Sequence, residues 1–287
     1  MKILISAANG KTGRHVAKAL RARDASLVLR GIDTGPVNHV DEELIGDMDD
    51  PAFRARAVEG VDAVIHYGPP MHPREVAMGT GMIDAAKAAG VRRFVFISVI
   101  HPEIDDLVNH QSKLAIENHL INSKLDWTVV RPQHYMQNID VTRAVSEARL
   151  VQPYPTSTVL GHVDMCDLAE AVAKVVVEPG HSYATYDISS GEHLSVEDIC
   201  AAIGIAAGKP IAAVAIDPYT LIDVIREHWP TPLSDYSVEG FHRLFGYYAR
   251  HGIQGNPNVL SWLLGRPPGK FEDYVRRSLS DDQGTAR

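Results

Sequence analysis

Gly10 and Gly13 stand in the stretch Ile3-Leu4-Ile5-Ser6-Ala7-Ala8-Asn9-Gly10-Lys11-Thr12-Gly13-Arg14, where an apolar run gives way to small residues and then to helical spacing. A strand that turns straight into a helix leaves the helix's first N–H groups unpaired, and the helix dipole adds to their pull on an anion. The chemistry available here is phosphate binding. Gly10 lets the backbone approach a pyrophosphate, and Gly13 lets the helix pack closely on the sheet. Ala7 occupies the place of a first glycine. Alanine is nearly as small but is expected to keep φ negative, which would alter the turn slightly. Asn9, Lys11, Thr12 and Arg14 complete the loop.

Asp33 follows at the end of the second apolar run. A carboxylate there can accept both hydroxyls of an adenosine ribose and would repel a 2′-phosphate. Lys11, Arg14 and Arg30 argue the other way, since each could pair with that phosphate. The reading favours NAD, with NADP as the alternative.

Proton chemistry has its own candidates. His66, His72, His101, His110 and His134 fall in or just after strand ends, the edge at which open α/β sheets bind ligands. A histidine there can protonate an oxyanion near neutral pH. His101 and Tyr135 are first choices because they directly follow the fifth and sixth strands. The 14 histidines are scattered, with no His-x-x-x-His pair, so no metal site is expected. No Gly-x-Ser-x-Gly elbow supports a serine hydrolase.

These residues need a scaffold, and the first 130 residues supply one. Lys2–Ser6, Ser26–Ile32, Glu43–Ile45, Ala63–Tyr67, Arg93–Val99 and Trp127–Arg131 are short apolar runs. Between them lie amphipathic stretches at Gly13–Arg23, Asp50–Val58, Val76–Ala89 and Ser112–Ser123. Asp50-Pro51 reads as a cap followed by first-turn proline. Strands that alternate with helices and are apolar throughout predict a doubly wound parallel sheet of the Rossmann type.

After Pro132 the regularity weakens. Gln137–Ser146, Asp167–Val177, Val196–Ala207 and Val238–Tyr248 read as helical, and Leu150–Pro155 as a strand or loop. The expected division is a dinucleotide-binding domain over residues 1–150. Residues 151–287 are then mainly a smaller α+β substrate lobe interleaved with the end of the sheet. Tyr219, Trp229, Tyr236, Phe241, Phe245, Tyr247, Tyr248 and Trp262 could line a pocket for a flat substrate. The helical spacing of Phe241, Phe245 and Tyr248 fits core packing better. The polar tail after Ser278 is expected to fray.

The 287 residues are 45% hydrophobic and 22% charged, with a net charge of -8. That acidic balance argues against nucleic-acid binding. No window approaches the ~18 uninterrupted apolar residues of a membrane span, and residue 2 already opens a strand. A cytoplasmic location is the expectation, without membrane attachment and with room for a homodimer. Cys166 and Cys200 lie in apolar helical stretches and read as small core residues, not as a disulfide.

The sequence resembles the NmrA-like branch of the atypical short-chain dehydrogenases/reductases along nearly its whole length. The resemblance rests on ISAANGKTGR, IGDMDDPAFRARAVEGVDAVIH, RRFVFIS, HVDMCDLAEAVAKVV, NPNVLSWLLGRPPGKFEDYV and above all HQSKLAIENHLINSKLDWTVVRPQHYMQN. It implies a Rossmann domain with bound NAD or NADP and a smaller lobe closing the cleft. Gly10, Thr12, Gly13 and Arg14 would form the phosphate loop, and Asp47-Met48 would lie beside the adenine. Tyr67, Gly68 and Pro69 would run along the nicotinamide, with Ser98 at the end of the fifth strand. Lys113 matches the lysine of the family's Tyr-x-x-x-Lys motif, but Asn109 stands where the tyrosine belongs. Lys113 would hold the nicotinamide ribose or act as general acid. With the tyrosine missing, His101, His110, His134 and Tyr135 are the remaining proton donors.

The implied activity is an NAD(P)-dependent oxidoreductase acting on a small apolar carbonyl, quinone or aromatic substrate. The family also contains regulators, so a redox sensor without catalysis is the first rival. Cofactor-assisted epimerisation or bond cleavage is the second.

Overall fold

Apolar runs without alternation become strands covered on both faces. The computed structural model describes residues 1–228 and 232–285. In chain order it begins β1 (Lys2–Ser6), α1 (Lys11–Arg23), β2 (Val28–Asp33), β3 (Glu42–Ile45), α2 (Pro51–Val58), β4 (Ala63–His66), α3 (Glu75–Ala88), β5 (Arg93–Ile97), α4 (Val108–Ile121) and β6 (Asp126–Pro132). Next come β7 (His134–Tyr135), α5 (Val141–Glu147), β8 (Arg149–Gln152), β9 (Leu160–Val163), α6 (Met165–Val177) and β10 (Ala184–Ile188). The chain closes with β11 (His193–Leu194), α7 (Val196–Ala207), β12 (Ala212–Ala215), α8 (Pro218–His228), α9 (Asp235–His251), α10 (Asn258–Leu264) and α11 (Phe271–Thr285).

Two compact units result. One is Met1–Pro132 with Cys166–Asp187; the other is Gln133–Met165 with Ile188–Arg287.

The first unit carries a seven-stranded sheet in the order β10-β6-β5-β4-β1-β2-β3. Its pairings β1–β2, β2–β3, β1–β4, β4–β5 and β5–β6 are all parallel. The chain therefore winds outward from β1 to β3 and then restarts on the other side with β4. The crevice at the carboxyl ends of β1 and β4 is the topological switch point, where doubly wound sheets hold ligands. On one face Phe53, Met82, Ile83, Ile116 and Leu120 pack with Leu4, Val64 and Phe94 in one buried cluster. Asp50 caps α2 through its side chain, with proline in the first turn, as its sequence predicts.

Gly79 sets how closely α3 and α4 approach. A Cβ there would lie 2.6 Å from Ile116 Cδ1. One turn toward the N-terminus on α3 is Glu75, and just before Ile116 on α4 is Lys113.

The second unit is α+β, with a three-stranded sheet β11-β9-β7 and a two-stranded sheet β12-β8. Four expectations need correction. Helix α4 starts at Val108, a full turn earlier than Ser112. Gln137–Ser146 is a 3-10 turn at Met136–Asn138 followed by α5, begun by the Asp140 cap. Cys166 is exposed, and only Cys200 is a buried core residue. The backbone is still helical where the polar tail begins at Ser278, α11 running to Thr285. Trp229 lies outside the described residues.

Candidate active site

The loop from Ala7 to Gly10 joins β1 to α1 at the switch point. Its turn is closed by the Gly10 N–H on the Ala7 carbonyl at 3.0 Å. Gly10 caps α1 without a side-chain hydrogen bond, and no acid sits in the first turn. The amino end of the helix thus keeps its affinity for an anion. At Gly13 an added Cβ would stand 2.6 Å from the Ala7 carbonyl oxygen and 2.7 Å from Ala8 Cα. The helix can come this close to the strand only without a side chain.

Ala7 departs from its expectation. Its φ is +47°, so alanine here adopts the left-handed conformation that was reserved for glycine. The loop tolerates a cost of about 1–2 kcal/mol because the Ala7–Gly10 turn and the Ala8 N–H on Ile32 O at 3.1 Å hold the backbone.

Asp33 ends β2 beside this loop. Its Oδ2 accepts the Asn9 N–H at 2.9 Å and its Oδ1 the Thr34 N–H at 2.7 Å. The carboxylate is thereby oriented. Arg30 is spent elsewhere, on Glu42 and on the carbonyls of Ala57 and Glu59. Arg14 folds back on Asn9, donating to its carbonyl and its side-chain oxygen. Lys11 is exposed at the first position of α1. Asp47 accepts the Asp49 N–H at 2.8 Å, and Met48 packs against the core cluster.

A second set of polar groups is buried after β4. Ser6 Oγ accepts the Tyr67 N–H at 2.7 Å, donates to the Tyr67 carbonyl at 2.9 Å and lies 3.0 Å from His66 Nδ1. Ser6 Oγ thus ties the His66 ring to the Tyr67 backbone. His66 is fully buried and stacks on Phe96, with centroids 5.9 Å apart. Burial, helped by the nearby Lys113 charge, pushes the imidazole down to about 3. Burial and the Glu75 charge raise the Tyr67 phenol to about 12. At Gly68 a Cβ would touch Glu75 at 3.5 Å and His66 Nε2 at 3.9 Å, so these groups meet at one point.

There Lys113 Nζ pairs with Glu75 Oε1 at 2.6 Å, and both side chains are almost wholly buried, at 5% and 1% exposure. The ammonium lies 5.2 Å from the Tyr67 ring centroid and 5.4 Å from that of Phe96, within cation–π range. Beyond the ion pair, neither Nζ nor either carboxylate oxygen has a hydrogen-bond partner, and His66 Nε2 has none. Asn109, one turn before Lys113 on α4, also has a buried Oδ1 without a partner. Sequence reasoning missed Glu75 altogether.

Ser98 belongs to a different group. Its hydroxyl donates to Glu117 at 2.5 Å, and Arg131 bonds the same carboxylate at 2.6 and 3.1 Å. His110 is buried, and its Nδ1 is 2.8 Å from the His101 carbonyl. Burial lowers it to about 4, so it is neutral at pH 7 and donates from Nδ1. His101 itself has φ +50°.

His134 and Tyr135 form β7 in the second unit. His134 pairs across the ladder with His162, rings 5.2 Å apart and edge to face. Burial pushes them down to about 4 and about 3, and neither Nδ1 has a partner. Tyr248 stands 6.3 Å from His134 and from Tyr154. Phe241 and Tyr248 are core residues, whereas Tyr219 and Trp262 are exposed. Among the described residues no group of three metal-ligating side chains occurs, and no helix is long and apolar enough to cross a membrane.

Known proteins share this architecture. The family model described as "NmrA-like family" matches residues 1–271. The NAD(P)H azoreductase of Xenophilus azovorans is 26% identical, the alignment covering 96% of both chains. The structure of Citrobacter sp. triphenylmethane reductase complexed with NADP(H) superposes with a TM-score of 0.80 at 19% identity, covering 97% of this chain and all of that one. NmrA, a negative transcriptional regulator in complex with NADP, gives a TM-score of 0.77 at 14% identity, covering 99% and 97%.

Proposed function

This chain belongs to the NmrA-like family, and from that premise we propose that it is an NAD(P)-dependent oxidoreductase. It would transfer hydride to or from a small apolar carbonyl, quinone or aromatic substrate. One observation carries the reading: an ion pair is buried at the ends of the central strands with polar atoms left unspent. Buried pairs seldom raise stability over an apolar core, so this one implies use.

The residues present fit a dinucleotide. The α1 amino end and Gly13 would take the pyrophosphate, Asp33 the adenosine ribose, and Lys113 the nicotinamide ribose. The nicotinamide, when bound, supplies or accepts the hydride. Lys113 is the cation of the buried cluster and would hold the accompanying proton. His66 is neutral at pH 7 and Tyr67 keeps its proton, so they shape the wall around that charge; His110, also neutral, is held on the His101 carbonyl. The azoreductase and triphenylmethane reductase support conjugated, flat acceptors as the first class to try.

The test is Lys113→Met, assayed with NADH and NADPH against quinones, azo dyes and aldehydes. Turnover should fall by about 10²-fold or more, well beyond any loss in cofactor affinity measured separately. If wild type oxidises neither cofactor with any acceptor while its binding to a protein partner follows the NAD/NADH ratio, it is a sensor. Asn109 in the tyrosine position and the likeness to a regulator favour that second reading.

Cofactor choice follows from Asp33. NADH should bind more tightly than NADPH by fluorescence titration, because the oriented carboxylate faces the loop while Arg30 and Arg14 are engaged. Asp33→Ala should narrow the gap. Tighter NADPH binding by wild type would reverse the assignment.

A further inference from the structure

The Lys113 ammonium is held by a partner on the neighbouring helix. Glu75 opens α3, where an acidic residue ordinarily lies in solvent and favours the helix dipole. Instead it is 1% exposed and directed at a lysine on the neighbouring helix. The close α3–α4 approach at Gly79, where a Cβ would lie 2.6 Å from Ile116, brings the two helices near enough for the pair to form.

We propose that Glu75 is a positioning residue of the active centre, holding the Lys113 ammonium in place for the dinucleotide. The inference rests on the oxidoreductase reading. A lysine has four rotatable side-chain bonds, and a carboxylate at 2.6 Å removes most of that freedom. The carboxylate uses one donor of Nζ and leaves the others for ribose hydroxyls. The ion pair also lets an apolar site keep a full positive charge. Asn109 cannot do this, since an amide is neutral.

Four titratable groups face Glu75: Lys113 from α4, His66 from β4, and Tyr67 and His72 from the segment between β4 and α3. Burial outweighs the Lys113 charge and raises the Glu75 carboxyl above the ordinary carboxylate range. Mild acid should therefore neutralise Glu75 and release Lys113, and His66 stays neutral throughout that range.

The experiment measures NADH dissociation constants alongside turnover from pH 8 down to the lowest pH at which circular dichroism shows wild type and each variant still folded. Wild type should show an acid limb of weakening affinity. Glu75→Gln should flatten that limb and lower kcat by about 10- to 100-fold, the scale of a misplaced group. Glu75→Asp should restore part of the limb. The limb should persist in His72→Gln, which separates it from that imidazole. In a Lys113→Met background, Glu75→Gln should cost nothing further in affinity or turnover. A limb unchanged in Glu75→Gln, or an equal loss with and without Lys113, overturns the positioning role alone. Wild type that binds neither NADH nor NADPH overturns the functional reading and this inference together.

Discussion

Gly13→Val is expected to weaken dinucleotide binding at least about a hundredfold, near 3 kcal/mol. The cause is backbone against side chain, which no rotamer relieves. Even the first carbon of the new side chain would press on the Ala7 carbonyl and the Ala8 backbone. Either α1 moves away from β1, carrying its N–H groups off the pyrophosphate, or the loop unwinds. Overpacking of this kind also costs about 1–3 kcal/mol of stability, so circular dichroism must show a folded variant. Gly13→Ala supplies a milder case that should bind with intermediate affinity. A folded valine variant with wild-type affinity would remove the loop from the site.

Acid is expected to unfold the protein well above the ordinary carboxylate range. Burial holds His66 and His162 near 3, and His110 and His134 near 4. In the unfolded chain each returns to about 6.5. The unfolded state then binds protons that the native state refuses, so these groups cost no stability above pH 6.5. Stability falls as pH drops from there toward the native values. Each contributes about 1.4 kcal/mol per pH unit in the middle of that window. Four together rival a whole domain's stability, about 5–15 kcal/mol, within two or three units. Glu75 works against the trend, since its raised carboxyl takes up a proton while native. Urea midpoints at pH 7.5 and 5.5 measure the slope, and His162→Phe should lessen it by about one proton. A midpoint that stays constant over that range would show these rings to be solvated.

Periodicity made the first unit readable. Unbroken apolar strands, the Asp50-Pro51 start and the glycines after β1 all depend on neighbours in sequence. The beginning of α4 did not, because Leu107 caps it without a side-chain hydrogen bond and Val108-Asn109-His110 has no marked helical pattern. Cys166 sits among apolar neighbours yet faces outward. Ala7 shows a different limit. Its left-handed φ is imposed by the turn it belongs to, against its own preference. Glu75 was invisible because its sequence context is an ordinary helix start. Its burial goes with Lys113 on the neighbouring helix, which only folding brings beside it. The family resemblance picked out Lys113 but said nothing of its partner.

The return of the chain to the first unit has a consequence for biosynthesis. Ribosomes deliver the polypeptide from the N-terminus, and domains generally fold in that order. Here β10, next to β6 in the seven-stranded sheet, emerges only after Gln133–Met165 of the other unit. Until then the nascent sheet presents β6 as an open edge, the kind of edge that recruits foreign strands and aggregates. A transcript broken between the codons for Pro132 and Ala184 would leave that edge permanently bare. Its product should be insoluble and quickly degraded.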